Sequence, residues 1–168
     1  MNKEKSPNAW VDNIPAGMFF TAIIFFLWPP ILALIIFFVL LYCVRTLYLL
    51  IMIKKHWSHN GKTLLFVYSN SPVWQEYIEN NVLPKIESKA VILNWSERSK
   101  WDRKPRSLEA KVFRHWAGSR EYNPIAMIFN PGRKIEILRF WQAFRDHKHG
   151  KEKPLKEMES KLFELVCK

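Results

Sequence analysis

Between Asp12 and Arg45 the chain carries no Asp, Glu, Lys or Arg. The stretch reads NIPAGMFFTAIIFFLWPPILALIIFFVLLYCV, and after Arg45 the apolar character resumes as TLYLLIMI until Lys54-Lys55. A bilayer core about 30 Å thick needs roughly 20 apolar residues in a helix. The run exceeds that and predicts a membrane anchor. Pro29-Pro30 divides it. Proline lacks an amide hydrogen, and its ring clashes with the preceding turn. Two geometries therefore fit. One is a single spanning helix, kinked or tilted at the prolines, with Arg45 snorkelling to the interface. The other is a re-entrant hairpin that reverses at the prolines. Its first arm, Met18 to Trp28, would reach only about 17 Å, so a hairpin would be shallow, and the spanning form is the expectation. Trp10, Trp28, Tyr48 and Trp57 are placed to serve as interfacial anchors.

This reading divides the chain into a polar N-terminal segment (1–16), an anchor with a proline kink (17–53), a linker (54–62) and a soluble basic α/β domain (63–168). The opening segment, MNKEKSPNAWVDNIPAG, is too polar and long for the n-region of a signal peptide, and it is expected to be retained. The C-terminal flank offers Arg45, Lys54, Lys55 and Lys62, whereas the N-terminal flank offers only Lys3 and Lys5. Lys and Arg bias a flank toward the cytoplasm, so the soluble domain is expected there.

Nearly all of the net charge of +11 falls after the anchor. A basic domain beside a bilayer is drawn to anionic headgroups, by about 1 kcal/mol per cation near the surface. Without the anchor, the same charge would point to nucleic acid. With it, anionic lipid is the better match and nucleic acid the weaker one. The two cysteines, Cys43 and Cys167, form neither a disulfide framework nor a zinc motif. Neither a metal nor another cofactor is implied.

Within the soluble part, Thr63 to Tyr68 is an apolar run with the character of a buried strand. Ser71 and Pro72 then supply an N-cap and a first helical residue for a helix from Val73 to Ile86. Trp74, Tyr77, Ile78 and Val82 would face inward. Ala90 to Trp95 is a second strand. Ser107 caps another helix, with Leu108, Val112, Phe113 and Trp116 inward and Gly118 ending it. A strand from Glu121 to Phe129, a tight turn at Asn130-Pro131-Gly132-Arg133 and a returning strand from Lys134 to Phe140 make a hairpin. Trp141 to Phe144 is a short helical piece. Leu155 to Val166 is an amphipathic closing helix, with Leu155, Met158, Leu162, Leu165 and Val166 on one face. The order β-α-β-α-β-β-α predicts a mixed four-stranded sheet whose first two strands are parallel.

That order resembles the thioredoxin-like fold over residues 62 to 166. The first strand ends in a short loop that opens a helix, Ser69, Asn70, Ser71, Pro72, Val73, Trp74, where the family keeps its active site. Asn123-Pro124-Ile125-Ala126 starts the third strand, where the family places a cis-proline facing that loop. Asn130-Pro131-Gly132 joins the hairpin, as in the family. The chain departs from the family at the chemistry. Redox members need a dithiol, because an attacking thiolate and a resolving thiol must meet. The matching positions here are Ser71, Pro72, Val73 and Trp74, and no cysteine lies between Cys43 and Cys167. The resemblance therefore implies a redox-inactive binding scaffold for a protein partner or an assembly role. Its site would be formed by Ser69, Asn70, Ser71, Pro72, Trp74, Asn123 and Pro124.

Other constellations compete. Ser69 to Ser71 sits before a helix, where free amides favour anions, so an enzyme acting on a phosphate-bearing or lipid-linked substrate is an alternative. Plain capping explains the same residues. Residues 96 to 107 are the most basic stretch. They read either as a solvated loop or as a headgroup-binding patch of Arg98, Lys100, Trp101, Arg103, Lys104 and Arg106, with Trp101 dipping into the interface. Aromatics interleaved with arginines, densest from Ile137 to Lys153, fit an interfacial amphipathic element or base stacking at a membrane-surface nucleic-acid site. They also fit core residues flanked by solvated charge. Asp102, Glu109, His115 and Glu121 have no spacing that assembles acid–base chemistry, and no catalytic residue is assigned. His147-Lys148-His149 reads as a solvated polar turn.

Overall fold

The computed structural model describes residues 16–101, 106–118 and 123–167. Trp10 and the rest of the first fifteen residues, Asp102, Arg103, Lys104, Glu121 and the side chain of Cys167 lie outside the described residues.

Helix α1 (Ala16–His56) runs unbroken through Pro29 and Pro30. The chain does not reverse there, so the hairpin form is set aside. Each proline leaves a carbonyl one turn earlier without its usual donor, yet the helix continues on either side. Its 41 residues make it about 60 Å long. It is long and apolar enough to cross a membrane. Large apolar side chains stand exposed along it from Leu27 to Ile51, Phe38 at 59% and Val44 at 66%. Arg45 is exposed as well.

The chain divides into two compact units between Arg45 and Thr46. The second unit therefore begins inside α1, and this corrects the boundary expected at residue 63. Leu49, Ile53 and Trp57, one helical turn apart, are buried at 1%, 3% and 3% exposure. They pack with Leu65, Val67, Phe113, Met127 and Phe129 in one hydrophobic cluster. Residues 54–62 are accordingly not a linker. The helix runs to His56, and a 3-10 turn (Ser58–Asn60) and a left-handed Gly61 follow it. Trp57 is not an interfacial anchor. Its ring meets Phe129 edge-on at 5.8 Å, and its Nε1 donates to Glu109 Oε1 at 3.4 Å. Thr46 Oγ1 lies 2.7 Å from His115 Nε2, which ties the same helix to α5 (Leu108–Trp116).

The sheet has the order β2-β1-β3-β4, with β1 (Leu64–Tyr68), β2 (Ala90–Asn94), β3 (Ile125–Ile128) and β4 (Glu136–Arg139). β1 pairs parallel with β2, from Leu64 beside Ala90 to Tyr68 beside Asn94. It pairs antiparallel with β3, and β3 pairs antiparallel with β4. The mixed four-stranded α/β architecture expected from the element order is present. All of β1 and β3 is buried, because helices cover both faces and no polar side is needed.

One face carries Leu64, Phe66, Ala126, Ile128 and Leu138 beneath three helical segments. The first is a composite: α2 (Gln75–Tyr77), a π turn (Ile78–Val82) and α3 (Leu83–Ile86). Sequence periodicity predicted one regular helix here. Pro84 explains the difference, because it has no N–H to give to the Asn80 carbonyl, and the turn before it widens. The other two segments are α6 (Trp141–Lys148), longer than the piece expected, and α7 (Lys153–Cys167). The opposite face carries Leu65, Val67, Ile125 and Met127 beneath α5 and the end of α1. Helix α5 forms where its signals place it. Ser107 Oγ accepts from Ala110 N at 3.2 Å, and Gly118 follows with φ +80°.

Removing an aromatic from a packed core costs about 3–5 kcal/mol. Trp57→Ala should therefore lower the unfolding free energy of the detergent-solubilised full chain by that order, with Trp57→Phe losing less. A chain that begins at Thr63 lacks Leu49, Ile53 and Trp57 and should give no cooperative urea transition. A sharp transition from that chain would show that the helix end is dispensable.

Candidate functional site

The loop after β1 is built by its own hydrogen bonds. Ser69 O accepts from Ser71 N at 2.8 Å and from Trp74 Nε1 at 3.2 Å. Ser71 O accepts from Trp74 N and Gln75 N, at 3.1 and 2.9 Å, and Ser71 Oγ accepts from Val73 N at 3.4 Å. Asn70 N donates to Ser96 Oγ at 2.9 Å. Asn94 Nδ2 donates to Asn70 Oδ1, and Ser96 N donates to Asn94 Oδ1 at 2.9 Å. Asn70, Asn94 and Ser96 thus clasp the ends of the two parallel strands. Pro72 and Asn70 are exposed, while Ser69, Ser71 and Trp74 are half-buried. Ser71 caps a turn over Pro72 to Trp74, and the helix itself opens at Gln75.

Pro124 is buried, and the Asn123–Pro124 peptide bond is cis. Val67 pairs with Ile125 in the antiparallel register. Continuing that register sets Pro124 opposite Tyr68 and Asn123 opposite Ser69, at the base of the loop. Phe140 N donates to Pro124 O at 2.8 Å. Asn123 Oδ1 is buried without a hydrogen bond among the described residues. The strand register thus brings the two halves of the sequence-predicted site to one end of the sheet. What it gathers there is amides, hydroxyls and an indole, with no thiol. Each amide from Asn70 to Gln75, Pro72 aside, is donated within the chain, which leaves none of them to cradle a phosphate.

The described part of the basic stretch is helical, and Ser96 to Lys100 are exposed. A 3-10 turn (Trp95–Glu97) leads into a short helix, α4 (Arg98–Trp101). Trp101 does not reach out of the domain. Its Nε1 donates to Asn94 O at 2.9 Å, and its ring packs on Trp95 and Phe113. Lys100 pairs with Glu97 at 3.0 Å, Arg98 lies over the Trp95 ring and Arg106 is half-buried. Ile137 to Lys153 is likewise not an interfacial strip. Phe140, Ala143 and Phe144 are core residues. Of the candidate acid–base groups, the two described ones hold contacts to the end of α1, Glu109 with Trp57 and His115 with Thr46. No cluster of three potential metal ligands exists among the described residues.

Two features escaped the sequence. One is a groove of about 270 Å³ beside the β3–β4 turn, lined in part by Leu50, Lys54 and Arg133. The other is a polar junction between α2, α6 and α7. His147, expected in a solvated turn, sits in α6 with its ring 5.6 Å from that of Tyr77. Burial first, then a hydrogen bond to Glu159 and the charges of Glu159 and Glu152, push the Tyr77 phenol up to about 12. Neither feature follows a motif. Each joins residues far apart in sequence.

No family model matches the chain, and neither does a curated protein or a solved structure.

The raised Tyr77 value sets a pH dependence. A phenol whose folded pKa exceeds its unfolded value of about 10 stabilises the fold in its neutral form, and that contribution is lost as pH rises from about 10 to 12. Melting temperature should fall more steeply over that window in the native chain than in Tyr77→Phe. Parallel curves for the two proteins would show that Tyr77 is not the group responsible.

Proposed function

We propose that the chain is a single-pass membrane protein whose cytoplasmic domain is a redox-inactive, thioredoxin-like binding module. Its role is protein interaction or assembly at the membrane surface. The observation that carries the reading is the double use of α1. Its side chains stay exposed and apolar from Leu27 to Val44, while Leu49, Ile53 and Trp57 close the core of the domain. A helix apolar all round requires an apolar surrounding, and among the described residues none covers it from Leu27 to Val44.

The thioredoxin-like part of the reading is supported by the sheet order β2-β1-β3-β4 with a single parallel pair. Pro124 at the base of the Ser69–Trp74 loop agrees with it. Binding rather than catalysis follows from the loop's content, which offers no nucleophilic thiol and no assembled acid–base pair. The phosphate-directed enzyme is disfavoured because the loop amides are already donated. The nucleic-acid reading is disfavoured because Trp95, Trp101 and Phe113 pack against one another in tilted and edge-to-face contacts. Lys54, Lys55 and Lys62 after the anchor support a cytoplasmic domain. The basic composition supports attraction to anionic lipid.

The anchor is tested in membranes. The full chain should stay with the pellet on carbonate extraction. In a Cys43→Ala background, an introduced Ser6→Cys and the native Cys167 should label from opposite sides. Labelling of both from one side would refute the single-pass reading.

The redox assignment is tested separately. The detergent-purified chain should not accelerate insulin reduction by dithiothreitol above the uncatalysed rate, and measurable turnover would overturn it.

A further inference from the structure

The groove beside the β3–β4 turn combines two chemistries. Leu50 and Ile53 of α1, with Phe129 and Ile135, give it apolar walls, and Lys54 and Arg133 also line it. Both cations are exposed, and neither is held in an ion pair among the described residues. Gly132 in the turn has φ +73° and open space where a side chain would stand, so backbone alone borders the groove there.

Its position along the helix decides what fits. Leu47, Tyr48 and Ile51 are exposed apolar residues on the same stretch of α1. Lys54 and Lys55 follow within one turn. The groove thus sits where apolar exposure ends and positive charge begins, which is the sequence of surroundings met on leaving a bilayer through its headgroups. A soluble anion has no use for the apolar walls. An apolar peptide has no use for two cations. A molecule with a phosphate and an acyl chain uses both.

We propose that this groove holds one anionic glycerophospholipid. The phosphate-bearing headgroup lies against Lys54 and Arg133, and the first carbons of a chain lie along Leu50, Ile53 and Phe129. The site rests on the membrane-spanning reading of α1 and adds a defined ligand to it. It also moves headgroup recognition away from the Arg98 to Arg106 segment, whose Lys100 is paired and whose Trp101 is packed inward.

The test uses the full chain in neutral detergent, with palmitoyl-oleoyl-phosphatidylglycerol or palmitoyl-oleoyl-phosphatidylcholine added at equal mole fraction. Retained lipid is read by native mass spectrometry. One phosphatidylglycerol should be retained, at least tenfold more strongly than phosphatidylcholine. Lys54→Gln/Arg133→Gln should lose that preference by on the order of tenfold, given the headgroup attraction of two cations. The charge-conserving pair Lys54→Arg/Arg133→Lys should keep it, which separates binding from folding. Lys148→Gln/Lys151→Gln, which removes two exposed cations elsewhere, should also keep it. Equal retention of the two lipids overturns the site. So does an equal loss in the Lys148/Lys151 control, which would mean bulk attraction only. Glycerol 3-phosphate retained as strongly as the lipid would overturn the assignment to a lipid. An integral chain with no phosphatidylglycerol preference fails the groove alone, whereas release by carbonate fails the anchor beneath it.

Discussion

Everything in the domain depends on the burial of Leu49, Ile53 and Trp57 against the sheet. A mixed sheet with apolar residues on both faces must be covered on both. One face has the composite helix, α6 and α7. The other has α5, a helix of nine residues, and the remaining area falls to the last turns of α1. The hydrogen bond between Trp57 and Glu109 and the approach of Thr46 to His115 fix the pairing of α1 with α5. Without the helix end, Leu65, Val67 and Met127 would lose part of their cover.

The same economy shows at the loop end of the sheet. Asn70, Asn94 and Ser96 satisfy one another, and the Ser71 carbonyl receives two amides. The loop amides are thus engaged within the chain, one of them by Ser96 beyond the second strand.

Much of this was legible in the chain itself, and the failures have physical causes. Ser107 and Gly118 bracket α5 because caps act within one turn. The β3–β4 turn was legible because Gly132 needs a left-handed backbone. The parallel first pair and the closing hairpin followed from connection rules, whereas Pro124 was set beside the loop by the family resemblance alone. The domain boundary was not legible. Leu49 and Ile53 lie among Leu47, Tyr48, Leu50 and Ile51, and an all-apolar stretch does not reveal which side chains the domain buries and which stay exposed. The π turn was missed although Pro84 marks it, because apolar spacing was weighed above a missing donor. Trp101 and Trp57 were misplaced for a shared reason. An indole beside basic residues is equally at home at an interface and at a core edge, and only the partners Asn94 and Glu109 distinguish the two. The groove depends on Lys54 and Arg133 meeting across a fold, which no local pattern encodes.

Trp57 is synthesised long before Phe129, its partner in the core. At translation rates of about 5–20 residues per second, the end of α1 waits several seconds for the sheet that will cover it. During that interval its apolar side chains need shelter, and on the proposed single-pass reading the bilayer around the preceding turns would be the nearest one. On that reading insertion and folding would be ordered in time, with the first preparing the second. A chain whose helix fails to enter the membrane would present an unclosed core to the quality-control machinery, so that one defect reports both errors.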